Sequence, residues 1–245
     1  TKEFAAKELV GRETELARLE AAVAPIFEAE DAPGRFAGCI YVDGESGLGK
    51  SYLVETFRRK LEAAHPGGFM WIEAPCDQTL QRSLNCFEAA MKEYFNQSSA
   101  QGKEEKHSNF EDTLDGLIER LPPTFAGLRR ELGQARSIFG ALLGIRWDGS
   151  LYERLNPKDR FTHTLAAITA WIRAESILQP VVLHLEDAQW ADDDALRVIQ
   201  ALTRVGADDS APQAAASSPI AIICTARTRD DGMAFRIPVS PDIPV

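Results

Sequence analysis

The sequence predicts an α/β domain built on a parallel sheet, and three observations carry that expectation. Apolar runs of strand length recur at residues 36–43, 68–74, 180–185 and 220–225. Helical patterns with one apolar face lie between them, the order that parallel strands joined by crossovers require. The octet Gly44-Glu45-Ser46-Gly47-Leu48-Gly49-Lys50-Ser51 joins the first run to the helix behind it, which puts a Gly-rich turn at a strand end.

Taken in chain order, residues 12–30 place Leu16, Leu19, Ala22, Val23, Ile26 and Phe27 at helical spacing, with Arg and Glu on the opposite face. Asp31-Ala32-Pro33-Gly34 stops that helix, and the strand 36–43 follows. Behind the Gly-rich turn, Leu53, Val54, Phe57 and Leu61 line a second helix, and 68–74 is the second strand. Residues 83–177 are almost all helical in pattern, broken by the polar stretch 96–109 and by Pro122-Pro123, and read as a helical insertion between the second and third strands. The run 180–185 is apolar on both faces, as a strand buried on both sides must be. A helix over 192–205, a flexible loop over 206–219 and a fourth strand over 220–225 complete the alternation. Residues 234–239 supply a fifth strand, which Pro238 confines to a sheet edge or a strand end.

A chain of 245 residues suits one such domain, or one carrying an insertion. Its 27 basic residues against 37 acidic ones leave a formal charge of −10, which weighs against the clustered Lys and Arg that a nucleic-acid backbone requires. Nucleic acid is therefore not an expected partner. No apolar run approaches the roughly 18 residues of a bilayer span, and the start Thr1-Lys2-Glu3-Phe4 lacks the apolar stretch of a signal peptide. The expectation is a soluble, cytoplasmic protein without a membrane partner. The missing initiator Met and the end at Ile243-Pro244-Val245 read as a piece of a longer chain. Cys39, Cys76, Cys86 and Cys224 form no C-x-x-C pair, have no His nearby at zinc spacing, and read as small hydrophobes.

The octet fits G-x-x-x-x-G-K-[ST] without mismatch, which chance would produce about once in a hundred chains of this length. Glycines let successive N–H groups point inward around a phosphate, and the helix N-terminus adds its positive end. Lys50 would then reach the β- and γ-phosphates, and Ser51 would hold Mg²⁺. A phosphate-bound Mg²⁺ also requires an outer acid, which Glu186-Asp187 supplies directly after the third strand. Glu186 is the candidate for the metal side and Asp187 for orienting the attacking water, though on sequence alone these roles are exchangeable. Asp192, Asp193 and Asp194 read as the cap and first turn of the next helix. Thr225 and Arg227, at the end of the fourth strand, are candidates to sense the γ-phosphate. His184 reads as a hydrogen-bonded core residue and Trp190 as a packing residue.

With Leu9-Val10-Gly11-Arg12-Glu13 at one end, the octet, Leu185-Glu186-Asp187-Ala188-Gln189-Trp190-Ala191-Asp192 and Thr225-Ala226-Arg227, the chain resembles the signal-transduction ATPases with numerous domains. These are the STAND branch of the AAA+-like P-loop NTPases. The resemblance spans nearly the whole chain and implies a three-layer sandwich whose five-stranded parallel sheet runs in the order 5-1-4-3-2. It implies ATP or ADP with Mg²⁺ as ligands, with Val10, Gly11 and Arg12 against adenine and ribose, residues 44–51 and Tyr52 around the phosphates, and Arg227 at the sensor position. Glu186 and Ser51 would hold the metal, and Lys50, Glu186 and Asp187 would carry catalysis. Many members have Asp-Asp, or a His before the Trp, where this chain has Glu186-Asp187 and Gln189, so slow hydrolysis is within expectation. Asn156-Pro157-Lys158-Asp159 has the wrong order for a guanine signature, which favours ATP over GTP.

A helical lid, winged-helix and sensor domains would lie beyond Val245, with self-association in the ATP state through the longer chain. No trans-acting arginine is assigned among Arg129, Arg130, Arg136, Arg146 and Arg154. Two other readings compete with an ATP-driven switch: a hydrolysis-inactive nucleotide-binding scaffold, and a DNA-dependent ATPase of the origin-recognition or loader type.

Overall fold

The computed structural model describes residues 11–27, 35–79, 82–206, 218–228 and 234–238. Within them four strands, β1 (Gly38–Gly44), β2 (Met70–Pro75), β3 (Val181–Glu186) and β4 (Ile220–Arg227), form one parallel sheet in the order β1-β4-β3-β2. The helices are α1 (Glu13–Val23), α2 (Lys50–Ala64), α3 (Asn85–Tyr94), α4 (Lys103–Arg120), α5 (Ala126–Gln134), α6 (Arg136–Leu142), α7 (Leu151–Arg154), α8 (Pro157–Leu178) and α9 (Asp193–Gly206). None of the described helices is long and apolar enough to cross a membrane.

The period of two along each strand divides the core into two halves. On one face Val182, Ala221 and Ile223 meet Leu16, Leu19 and Val23 of α1 and Leu53, Val54 and Phe57 of α2. On the other, Leu183, Leu185, Ile222 and Cys224 meet a larger core drawn from the helices between β2 and β3 and from α9. The result is three layers, helices on both sides of the sheet. Trp171, Phe87, Phe95, Phe110 and Phe139 are fully buried in the larger half, each contributing about 1.5–3 kcal/mol by leaving water. Glu175 lies at its rim, fully buried, and accepts hydrogen bonds from Tyr94 and, at 3.2 Å, from Arg120. That pairing keeps the burial of a carboxylate from being prohibitive.

Several expectations are corrected. Residues 234–238 form no strand, so the described sheet has four strands rather than five. The Ile237 N–H donates to the Tyr41 hydroxyl at 3.1 Å instead of to a strand, and Pro238 has no N–H to offer. The segment is attached by side chains, with Phe235 and Ile237 buried in the larger core. The first helix ends at Val23 and continues as a 3₁₀ turn over Ala24–Phe27; residues 28–30 lie outside the described residues, as does most of the expected loop 206–219. The break in the helical region is shorter than 96–109, because α4 already starts at Lys103. Asn156 caps α8, accepting the Asp159 N–H at 3.0 Å, with Pro157 in the first turn, so that tetrad is a helix start.

In α6, Gly140 lies under Trp147. A Cβ there would stand 2.2 and 2.5 Å from two ring carbons of Trp147, whose other neighbours include His107 and Phe110. Gly140→Ala is therefore expected to unseat the indole and to destabilise the fold by about 1–3 kcal/mol. Thermal unfolding and Trp fluorescence would read this; an unchanged Tm with unchanged emission would contradict the contact.

Candidate functional site

Because all four strands run parallel, their C-terminal ends lie along one edge, where binding sites of open α/β sheets form. β1 delivers Gly44 to that edge. The chain then turns through exposed residues 45–49, and α2 begins at Lys50. Gly47 (φ +83°) and Gly49 (φ +78°) hold left-handed backbone, and an added Cβ would meet nothing within 4 Å at either. The dihedral, not the space, requires glycine there. No side chain caps α2, so its first N–H groups remain available to an anion. The Lys50 ammonium folds back and donates to the Gly44 and Glu45 carbonyls, each at 2.9 Å. Burial holds its pKa below the ordinary lysine value and the Arg227 charge adds to that, while Asp187 and Asp43 oppose it.

Across the cleft, β3 ends at Glu186, which shares a sheet face with Val182 and His184 and so looks toward α2. Ser51 donates to its carboxylate, Oγ to Oε1, at 3.1 Å. Asp187 breaks the strand by taking a left-handed conformation, φ 54° and ψ 46°. Its N–H donates to the Thr225 hydroxyl at 3.1 Å, and its carboxylate accepts from the Gln189 amide at 3.1 Å and lies 3.9 Å from Arg227 Nε. Hydroxyl and carboxylate oxygens side by side at the mouth of an uncapped helix are the hard donors that magnesium takes alongside phosphate oxygens. Among the described residues no group of three or more His, Cys, Asp or Glu is gathered to hold a metal by itself.

The structure thus brings Lys50, Ser51, Glu186, Asp187 and Arg227 together around one cleft, with Gly44, Glu45, Ser46, Gly47, Leu48 and Gly49 as its loop. Val10 lies outside the described residues. Gly11 and Arg12 stand at the start of α1, where Arg12 pairs with Glu15 at 2.7 Å and reaches the Leu48 carbonyl at 3.4 Å. Between α1, β1 and the loop opens a cleft of about 480 Å³, lined in part by Arg12, Leu19, Val42 and Leu53. Tyr52 is half-buried in the first turn of α2. Thr225 is placed differently from the other candidates: it is 1% exposed and stands behind Asp187, with its hydroxyl 3.5 Å from His184 Nε2. Asp192 caps α9 by accepting the Asp194 and Ala195 N–H groups.

Sequence reasoning missed three residues here. Glu73 of β2 faces His184 across the strand pair, 2.9 Å from Nδ1, and accepts from Trp71 Nε1 at 2.7 Å. Gln189 bridges Asp187 and the Arg227 N–H, which it accepts at 3.0 Å. Arg236 pairs with Asp43, next to the loop, and covers the Tyr41 ring at 4.4 Å. An acid within a strand otherwise apolar was the one available signal for Glu73; Gln189 stood out only as a departure from the resembled family, with no role attached, and nothing marked Arg236. His184 is a buried, hydrogen-bonded core residue, as its position predicts. Trp190 is not: at 37% exposed it is, with Leu48, a large apolar side chain open to solvent beside the site. All four cysteines are free and buried, and burial pushes the Cys39 thiol up to about 11.

A Gly-rich turn onto an uncapped helix, facing an acid at the end of a parallel strand one place removed in the sheet, defines the class of P-loop nucleotide-binding domains. Within that class the chain belongs to the AAA ATPase domain family, whose sequence model matches residues 8–213. No curated protein matches it. Membership supports ATP binding and a nucleotide-dependent activity.

Burial alone would raise the Glu73 pKa, but the hydrogen bonds from His184 and Trp71, together with nearby positive charge that includes Arg58, outweigh it and hold the carboxyl below its ordinary range. A depressed folded-state value means stability that is present above the ordinary glutamate pKa, about 4.3, and is lost as pH falls through the folded-state value. Glu73→Gln is therefore expected to cost about 1 kcal/mol at pH 7 and progressively less below about pH 4. Denaturant unfolding at both pH values checks this, and a deficit that is the same at both would contradict it.

Proposed function

We propose that this domain is an ATP-binding and ATP-hydrolysing switch module of a multidomain, STAND-type signalling ATPase, acting in the cytosol. The observation that carries the reading is the Ser51–Glu186 hydrogen bond, since it sets a hydroxyl and a carboxylate together at the mouth of the loop that Lys50 closes. Four unpaired cysteines accord with a reducing compartment.

The triphosphate would lie along the start of α2, its oxygens taking the free N–H groups and drawing the Lys50 ammonium off the Gly44 and Glu45 carbonyls. The base and ribose would occupy the cleft beside Arg12, which accords with an opening of about 480 Å³. Magnesium, held by Ser51 and through water by Glu186, would supply positive charge to the phosphate oxygens when bound. Asp187 would hold a water in line with the γ-phosphorus and take its proton. The water oxygen then bonds to phosphorus as the bond to the β–γ bridging oxygen breaks, and the electron pair leaves with ADP. Lys50 and Arg227 would offset the charge on the transferring group. The γ-phosphate would thereby control a closed state, and self-association in the ATP state, through domains of a longer chain.

Lys50→Ala is expected to weaken ATP binding by at least about tenfold, and Asp187→Ala to leave affinity within about threefold while lowering turnover by about a hundredfold. Titration with a fluorescent ATP analogue and a phosphate-release assay measure both. Equal affinity in wild type and Lys50→Ala would end the reading.

A further inference from the structure

Asp187 is held in a conformation that a residue with a Cβ adopts at a cost. Among the described residues only Leu84, Asn96 and Asp187 have positive φ without being glycine, and Asp tolerates this region better than most residues do. Such a backbone persists where its surroundings over-determine it. Three bonds do so here: the Asp187 N–H to the Thr225 hydroxyl at 3.1 Å, the Trp190 N–H to the Asp187 carbonyl at 2.9 Å, and the Gln189 amide to the carboxylate at 3.1 Å. The first two fix the backbone. Only the third is a hydrogen bond to the carboxylate; the Lys50 charge acts on it from the loop side, and Arg227 Nε lies 3.9 Å away and half in solvent.

The other end of Gln189 makes this bond more than local. Its carbonyl oxygen accepts the Arg227 N–H at 3.0 Å, at the last residue of β4. A backbone N–H can only donate and a carboxylate can only accept, so the amide has one orientation that satisfies both. Arg227 stands in register with Gly44, and the Thr228 N–H reaches the Gly44 carbonyl at 3.3 Å. The side chain of Gln189 thus spans from the acid turn to the strand end that abuts the phosphate loop.

We propose that Gln189 is a positioning residue, which fastens the Asp187 carboxylate to the end of β4 and so sets its direction toward Lys50 and Arg227. This rests on the reading of Asp187 as the water-orienting acid. The function needs one donor and one acceptor on a side chain of this length. Glu at 189 would keep the acceptor for Arg227 but set a second negative charge against Asp187.

The test compares the full chain with Gln189→Ala and Gln189→Glu, by amide hydrogen exchange at Arg227, affinity for a nonhydrolysable ATP analogue, and single-turnover hydrolysis. Gln189→Ala is expected to speed exchange at Arg227 by at least about tenfold and to slow hydrolysis by about ten- to a hundredfold, with analogue affinity within about threefold. Gln189→Glu is expected to keep Arg227 protected yet to slow hydrolysis at least as much, a split that a merely structural role would not produce. Unchanged Arg227 exchange in Gln189→Ala, or wild-type hydrolysis in Gln189→Glu, would overturn the proposal. A wild-type chain that binds the analogue without hydrolysing ATP would instead sink the reading of Asp187, while the exchange rates would still show whether Gln189 forms the bridge.

Discussion

The hydrogen bond between Ser51 and Glu186 joins residues 135 positions apart, and its geometry depends on strand register. Side chains alternate along β3, so a slip of one residue would turn Glu186 to the opposite face and put Leu185 against α2. Register is fixed by burial: Val181 to Leu185 and Ile220 to Ala226 are buried throughout, and any slip would exchange the sets of side chains packed on the two faces. The apolar interior of the sheet therefore sets the position of the acid at its edge. Loop and acid can face each other because β4 lies between β1 and β3 and fixes the distance between their ends.

Toward that edge the α2 face of the sheet changes character. Val182, Ala221 and Ile223 give way to Glu73, His184 and Thr225, a chain of polar groups that runs across β2, β3 and β4 and ends at the Asp187 N–H. Each bond in such a chain is worth only about 1 kcal/mol net, but a partner removed leaves a buried group that costs about 1–3 kcal/mol. The chain therefore acts chiefly against alternatives: a misplaced strand would strand His184 or Thr225 without a partner. Trp71, donating to Glu73, closes its far end.

What the sequence made legible was local or periodic. The phosphate loop is eight contiguous residues, and β3 and β4 are apolar on both faces, so strands, loop and the acid at a strand end follow from short windows. Residues 234–238 deceived because an extended segment with Phe235 and Ile237 buried shows the same alternation as a strand, and only the destination of the Ile237 N–H tells the two apart. The start of α4 hid in a polar stretch because its N-cap is Gly102 and its first turn carries Glu104 and Glu105. Glu73 and His184 meet only through the register of strands separated by more than a hundred residues, and Gln189 is an amide whose two partners come from different elements. Neither pairing leaves a pattern in sequence spacing.

Glu186 and Asp187 are adjacent, yet they are held by different means. Glu186 is the last residue of a strand, its backbone paired with Pro75 of β2, so its carboxylate is placed by the sheet itself. Asp187 has left the ladder, and its direction depends on side chains from β4 and from its own turn. A metal-side acid gains from rigidity, since small octahedral ions tolerate little misplacement of ligands. On the proposed reading, Asp187 would receive a proton from water, and Gln189 ties its carboxylate to the end of the strand that borders the phosphate loop. In the proposed mechanism, the left-handed turn at residue 187 would let one dipeptide meet both requirements.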